Sequence, residues 1–196
     1  VKCFFGSPDE VLVRMYDAAI KYNLDYILTI TADSPFDDPY YADAIVNTYI
    51  KTDADLIRQF DLPHGVFSYG IKVKALKKVI KIKDSKDTEV WGRYFTDTGL
   101  FNVQDFKVIN KFHKRPNLRM TLDYAEDWDF FKSIFNALYK KGSVFSLDDI
   151  LKFLDANPHI VNINKECGNK LLKKFKKQSE IKLKKMKKVS NALILG

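Results

Sequence analysis

Two aspartates stand where apolar runs end: Asp33 follows "ILTITA" and Asp123 follows "NLRMTL". A carboxylate in such a place must be solvated, paired or bound to a cation, because an unpaired buried charge is too costly to keep. At the C-terminal ends of parallel strands, two carboxylates point into one crevice. Converging there, they make a hard oxygen site suited to Mg²⁺ bridged by phosphates, since that ion keeps several waters and takes one or two protein carboxylates. Two structural roles compete. Asp123 is placed to N-cap the helix that "YAEDWDFF" begins, and Asp33 to make an Asx-turn with the backbone. Spacing alone leaves both open. No Ser/His/Asp or Cys/His constellation for covalent catalysis is evident. His113 and His159 have no partner spacing, and Cys3 and Cys167 are far apart and outside any metal-ligand pattern. No disulfide framework is expected, and a reducing cytoplasm fits.

The elements that must position these groups follow from hydrophobic period and punctuation. "SPDEVLVRMYDAAIKYN" reads as a helix with Ser7 as N-cap and Pro8 in the first turn. "DYILTIT" is a short continuous apolar strand of the kind covered on both faces. A second helix, "DDPYYADAIVNTYIKT", carries Pro39 in its first turn. "ADLIRQF" is the next strand, "DLPHGVFSYGIKV" a loop plus strand, and "KALKKVIKI" a short amphipathic helix. "NVQDFKVINKF" and "NLRMTLD" read as strands. The long helix "AEDWDFFKSIFNALYKKG" is expected to end with Gly142 at C′. "SLDDILKFLDANP" is a helix with Ser146 and Asp149 in capping-box spacing, and "HIVNIN" a last extended segment. Strands alternating with helices predict an α/β domain with a mainly parallel sheet.

At 196 residues and 46% hydrophobic, the chain is long enough to bury a core as one domain or slightly more. Nothing approaches the ~18–20 consecutive apolar residues of a membrane span. The opening "VKCFFGSPDE" lacks a signal-peptide pattern and an initiator Met, and is read as the start of a fragment. The net charge of +8 is localised. Residues 165–190 hold 11 lysines against Glu166 and Glu180, so the rest of the chain is close to neutral. Such a run is most often a solvated helix or linker. It carries only Phe175 as an aromatic, unlike a single-strand-binding surface, so nucleic acid is not the expected partner. The closing "NALILG" reads either as an apolar terminus or as the first strand of a further domain.

Taken in order, "FFGSPDEVLVRMYDAA", "DYILTITADSPFDDP", "LPHG", "TEVWGRYF" and "LRMTLDYAEDWDF" resemble the cytidylyltransferases of the spore-coat polysaccharide biosynthesis type, relatives of the CMP-sugar synthetases. "TADSP" and "LRMTLDYAEDW" are the specific matches. The resemblance covers about residues 1–163, which it implies to be a partial cytidylyltransferase domain of Rossmann-like nucleotide-diphospho-sugar transferase fold, incomplete at the N-terminus. A Lys-rich helix or linker over 164–190 and the possible start of a further domain at 191–196, such as the aldo/keto-reductase-like domains fused to some members, would follow it. The family's Gly-rich Arg/Lys nucleotide loop has no counterpart, so the fragment itself is expected to be inactive and its full-length parent active.

The resemblance implies Asp33 and Asp123 as the Mg²⁺ pair and the catalytic centre. It implies Ser7 and Arg14 near the nucleotide, and His64, Gly65, Glu89 and Arg119 on the sugar side. Arg119 is equally able to pair with a neighbouring acid, and Asp127 is expected to cap the helix or support the loop. Three departures bear on the sugar. His64 stands where the family has Arg, "EVWG" replaces "EHVT" at Glu89, and Tyr69 stands where an acid follows the Gly. The implied reaction is transfer of CMP from CTP to a sugar, expected to be acidic, for surface polysaccharide or glycan. The substrates are thus CTP and a sugar, and a homodimer is compatible with the sequence. Two alternatives stand beside it: a metal-dependent glycosyltransferase on a related fold, and a non-catalytic module that docks an acidic partner through the basic tail.

Overall fold

The computed structural model describes residues 1–86, 90–178, 181–184, 186–189 and 192–195. Helix α1 (Val11–Lys21) leads into strand β1 (Tyr26–Thr29), helix α2 (Pro39–Thr52) and strand β2 (Leu56–Arg58). Strand β3 (Tyr69–Lys72) runs directly into helix α3 (Val73–Ile82), and a short helix α4 (Arg93–Thr96) precedes strand β4 (Val103–Asp105). After a 3₁₀ turn at Lys111–His113 come helices α5 (Ala125–Leu138), α6 (Leu147–Ala156), the single turn α7 (Pro158–Val161) and α8 (Cys167–Gln178). Strands β5 (Met186–Val189) and β6 (Ala192–Leu195) form an antiparallel pair.

The α/β class holds, with sheet order β1-β3-β2-β4. β3 runs antiparallel to both β1 and β2, while β2 and β4 are parallel. Three strands therefore share one direction and β3 alone opposes them, so the expected mainly parallel sheet is interrupted at its centre. The cause lies in the connection. Residues 59–68 join β2 to β3 without a helix, and a parallel neighbour needs a crossover of about a dozen residues or more.

The faces of the sheet follow the strand period of two. Leu56 and Ile71 are buried with Leu12 of α1 and Leu76 and Val79 of α3. Ile57 turns the other way, against Ile45 of α2. Gly70 is required on that second face, because a β-carbon there would run into the Tyr26 hydroxyl and Ile45. A larger apolar cluster lies beyond the sheet, where Phe130, Phe131 and Ile134 of α5 and Ile150, Leu151 and Leu154 of α6 enclose Leu62, Val66 and Met120.

Several local expectations change. α1 starts at Val11, and Ser7 caps a preceding turn instead, accepting from Glu10 N–H at 3.2 Å. The Ser7 and Pro8 carbonyls, which a longer helix would commit to backbone N–H groups, accept from Arg14 Nη1 at 2.6 and 3.1 Å. "NVQDFKVINKF" supplies only β4 before the chain turns at Asn110, whose side chain accepts from Phe112 N–H. "NLRMTLD" is extended but pairs at a single bridge, Arg119 with His64. "HIVNIN" opens as helix α7, because Pro158 suits a first helical turn and Ile160 is buried in the α5–α6 cluster. Gly142, at φ +82°, lies beyond the C-cap of α5 at Tyr139, in the Lys140–Ser143 turn rather than at C′. The Ser146–Asp149 capping box forms as expected, with Ser146 N–H donating to Asp149 at 2.9 Å.

Candidate active site

Asp33 and Asp123 line one cleft of about 920 Å³. Asp33 stands four residues past the end of β1, in a turn closed by Ser34 N–H on the Thr31 carbonyl at 3.0 Å. Asp123 ends the extended segment 118–123. The two places are stitched by one backbone bond, from Leu122 N–H to the Asp33 carbonyl at 2.8 Å. On the other side, His64 N–H donates to the Leu118 carbonyl at 2.8 Å and the His64 carbonyl accepts from Met120 N–H at 2.6 Å. Gly65 makes that approach possible. Its φ is +97°, and a β-carbon would lie 2.6 Å from both the Met120 carbonyl carbon and Thr121 Cγ2.

Neither competing structural role describes the carboxylates. Asp33 Oδ1 accepts from the Thr31 and Ser34 hydroxyls, the latter at 3.4 Å, and takes no Asx-turn bond. Asp123 Oδ2 accepts from Thr121 Oγ1 at 2.9 Å and Arg119 Nη2 at 2.6 Å. The helix cap is Asp127, as expected: its Oδ2 takes the N–H groups of Asp123 and Tyr124, each at 3.0 Å. Each cleft carboxylate thus has one oxygen held and one without a hydrogen bond among the described residues. That donor set fits a hard divalent cation. Among the described residues no cluster of three or more His, Cys, Asp or Glu adds to the pair. A signal for the holding hydroxyls was present in the sequence and overlooked: threonine stands two residues before each aspartate, in "TAD" and "TLD".

Arg119 takes the ion-pair role. Its Nε and Nη2 meet Asp127 at 2.9 and 2.8 Å, its side chain is 6% exposed, and Asp127 is fully buried. Asn164 completes the knot, donating to Asp127 Oδ1 at 2.9 Å and the Arg119 carbonyl at 3.3 Å. Burial alone pushes the Asp127 carboxyl up. The Arg119 bonds, the Asp123 N–H and the Asn164 amide outweigh it and hold the carboxyl below its ordinary range. Asn164 escaped sequence reading because nothing local marks it.

The remaining expected residues are distributed unevenly. His64 and Gly65 line the cleft with the carboxylates. The protein mass around His64 desolvates the imidazolium and, with the Arg119 charge second, lowers its pKa, while Asp123, Asp33 and Asp127 pull the other way. Arg14 also lines the cleft, although its Nη1 is engaged by Ser7 and Pro8. Ser7 is not among the lining residues, and Glu89 falls outside the described residues. The cleft is also lined by Arg58, Phe60, Tyr69 and Trp91.

No family model matches the chain. MJ1063 of Methanocaldococcus jannaschii, an uncharacterised protein, is 30% identical over 177 residues, which make up 87% of this chain and 70% of that protein. The spore coat polysaccharide biosynthesis protein SpsF of Bacillus subtilis is 23% identical over 160 residues, 80% of this chain and 66% of that protein. Among solved structures, a cytidylyltransferase from Leptospira borgpetersenii superposes with a TM-score of 0.71 at 22% identity, over 81% of this chain and 67% of that one. The fold is therefore a nucleotidyltransferase fold. The chain belongs to the cytidylyltransferase family of the spore-coat polysaccharide biosynthesis type. Among the described residues no helix is long and apolar enough to cross a membrane.

Proposed function

We propose that the full-length protein transfers CMP from CTP to an acidic sugar for surface polysaccharide or glycan synthesis, with Mg²⁺ held by Asp33 and Asp123. The observation that carries this reading is the carboxylate pair on one cleft, stitched by the Leu122–Asp33 bond, with an oxygen of each left over. A sugar hydroxyl attacks the α-phosphate, forming the sugar–phosphate bond as the bond to pyrophosphate breaks and the hydroxyl proton is lost. When bound, Mg²⁺ would offset the charge developing on phosphate oxygens. The protein groups do the positioning. Thr31 and Ser34 hold one oxygen of Asp33, while Thr121 and Arg119 hold one of Asp123. Arg119 also places a cation beside Asp123, at 2.6 Å from its Oδ2. His64, favoured in its neutral form, offers the cleft a hydrogen-bonding group without added charge.

The test is pyrophosphate release by the full-length protein from CTP, with and without Mg²⁺, across acidic and neutral sugars. Release that requires both sugar and metal, with CTP preferred over other nucleotides, is expected. No release with any sugar would refute the reading.

A further inference from the structure

Helix α3 carries charge of one sign on its solvent side. Lys74, Lys77, Lys78 and Lys81 stand at i, i+3, i+4 and i+7, within about 100° of the helix circumference and about 10 Å of its length. All four are exposed, while Ala75, Leu76 and Val79 are buried with Leu12 of α1 and Leu56 of β2. A solvated helix face ordinarily mixes signs, and other helices here do so. At comparable spacing α1 carries Arg14, Asp17 and Lys21, and α6 carries Asp148, Lys152 and Asp155. α3 has no acidic residue. Its lysines make like-charge pairs three and four residues apart, an arrangement that disfavours the helix. Among the described residues the ammonium groups of Lys74, Lys77 and Lys81 have no partner. Lys78 donates to the Leu100 carbonyl at 2.6 Å and lies 4.8 Å from the centroid of the Phe101 ring, contacts that leave its charge uncancelled.

The chain returns to the C-terminal end of this helix and adds to it. Asp84 N–H donates to the Lys182 carbonyl at 2.7 Å, and Lys184 N–H to the Ile82 carbonyl at 2.9 Å. Lys83 and Leu183 oppose each other in that bridge, and Lys83 is drawn inward onto Glu10 at 2.6 Å. Residues 73–86 and 181–184 carry eight lysines against one acid, Asp84, and only Lys83 among the eight is buried. The excess is therefore real at the surface.

The kind of partner follows from what the face lacks. It has no arginine, hence no planar fork for bidentate capture of one phosphate or carboxylate. It offers no free aromatic ring on which a base could stack, since Lys78 covers Phe101. Its ammonium groups are point charges on flexible stems, suited to the summed potential of many phosphates in one plane. The apolar side of α3 is committed to the core, so contact is electrostatic and does not insert the helix. We infer that the lysine face of α3 docks the protein on an anionic bilayer through its lipid phosphates. None of the four lysines lines the cleft, and the inference does not depend on the transferase reading.

The experiment is sedimentation of the full-length protein with vesicles of phosphatidylcholine alone, and of equal parts phosphatidylcholine and phosphatidylglycerol. Binding is expected on the anionic vesicles only, and should fall as salt rises. Lys77→Gln with Lys81→Gln should weaken it about 10- to 30-fold, the scale of two lysines withdrawn from a charged surface. Lys77→Arg with Lys81→Arg should bind like the wild type, which ties the loss to charge and not to folding. Lys140→Gln with Lys141→Gln removes the same charge from an exposed turn elsewhere and should change binding by less than about two-fold. Equal binding to neutral vesicles, no binding to either kind, or full binding by the Lys77 and Lys81 glutamine pair would each overturn the inference. So would equal losses in the two glutamine pairs, or a loss in the arginine pair as large as in its glutamine counterpart. Preference for double-stranded RNA over anionic vesicles would also overturn it, and would assign the face to nucleic acid.

Discussion

The two cleft carboxylates are held in opposite ways. Asp33 sits in a short turn and is steadied by hydroxyls one and two residues away. Asp123 hangs from a buried knot in which Arg119 is shared with Asp127, and Asp127 is tied in turn to Asn164, 37 residues along the chain. The first arrangement is local and inexpensive to disturb. The second is part of the fold, because the same bonds that aim Asp123 also cap α5 and anchor the chain ahead of α8. Substitutions should therefore separate function from stability at Asp33 and join them at the Asp123 end.

The largest effect is expected at the knot. Asp127→Ala leaves the Arg119 guanidinium buried without its main partner, and should cost about 3–5 kcal/mol in urea unfolding. Replacing both members, Arg119→Met with Asp127→Leu, should cost clearly less than the sum of the single changes. The knot also sets an acid response. Because the folded Asp127 pKa is depressed, its contribution is present above the unfolded value near ~4 and is lost as pH falls through the folded value. Unfolding followed between pH 5 and 2 should show that loss in the wild type, and a flatter profile in Asp127→Asn.

Next in size is Gly65→Ala. The positive φ and the close approach to Met120 and Thr121 predict a loss of about 2 kcal/mol, with weaker catalysis because His64 and the Asp123 segment shift together. Ser146→Ala, remote from the cleft, should cost about 1 kcal/mol through the lost α6 cap and leave turnover unchanged. Smallest in stability is Asp33→Asn, expected within about 0.5 kcal/mol of the wild type. A drop in turnover of about 100-fold or more is nevertheless expected for it, the scale of a lost electrostatic stabiliser. Equal stability losses at Asp33 and Asp127 would erase the contrast.

What the sequence disclosed follows the same contrast between local and distant. Strong periods and caps were legible: α2 with Pro39 at its start, α3, and α6 with its capping box all appear where composition and punctuation put them. So were the two aspartates, because each interrupts an apolar run. Strand direction was not, since β3 is turned by a loop whose geometry depends on where Leu62 and Val66 are buried. The extended "NLRMTLD" looked like a strand, yet its backbone partners are the loop residues His64 and Asp33, and only one ladder bridge forms. Partnerships across long separations, Asp127 with Asn164 and Arg58 with Asp105, depend on the assembled fold and leave no trace in spacing.

The central claim is that Asp33 and Asp123 act as one cation site. It is tested most directly by titrating Mn²⁺ into the full-length protein with CTP, following free ion by electron paramagnetic resonance, for wild type, Asp33→Asn, Asp123→Asn and the double variant. Either single change should abolish the tight site, with the double variant no worse than the singles. Tight binding that survives both changes, or losses that add independently, would contradict a shared site.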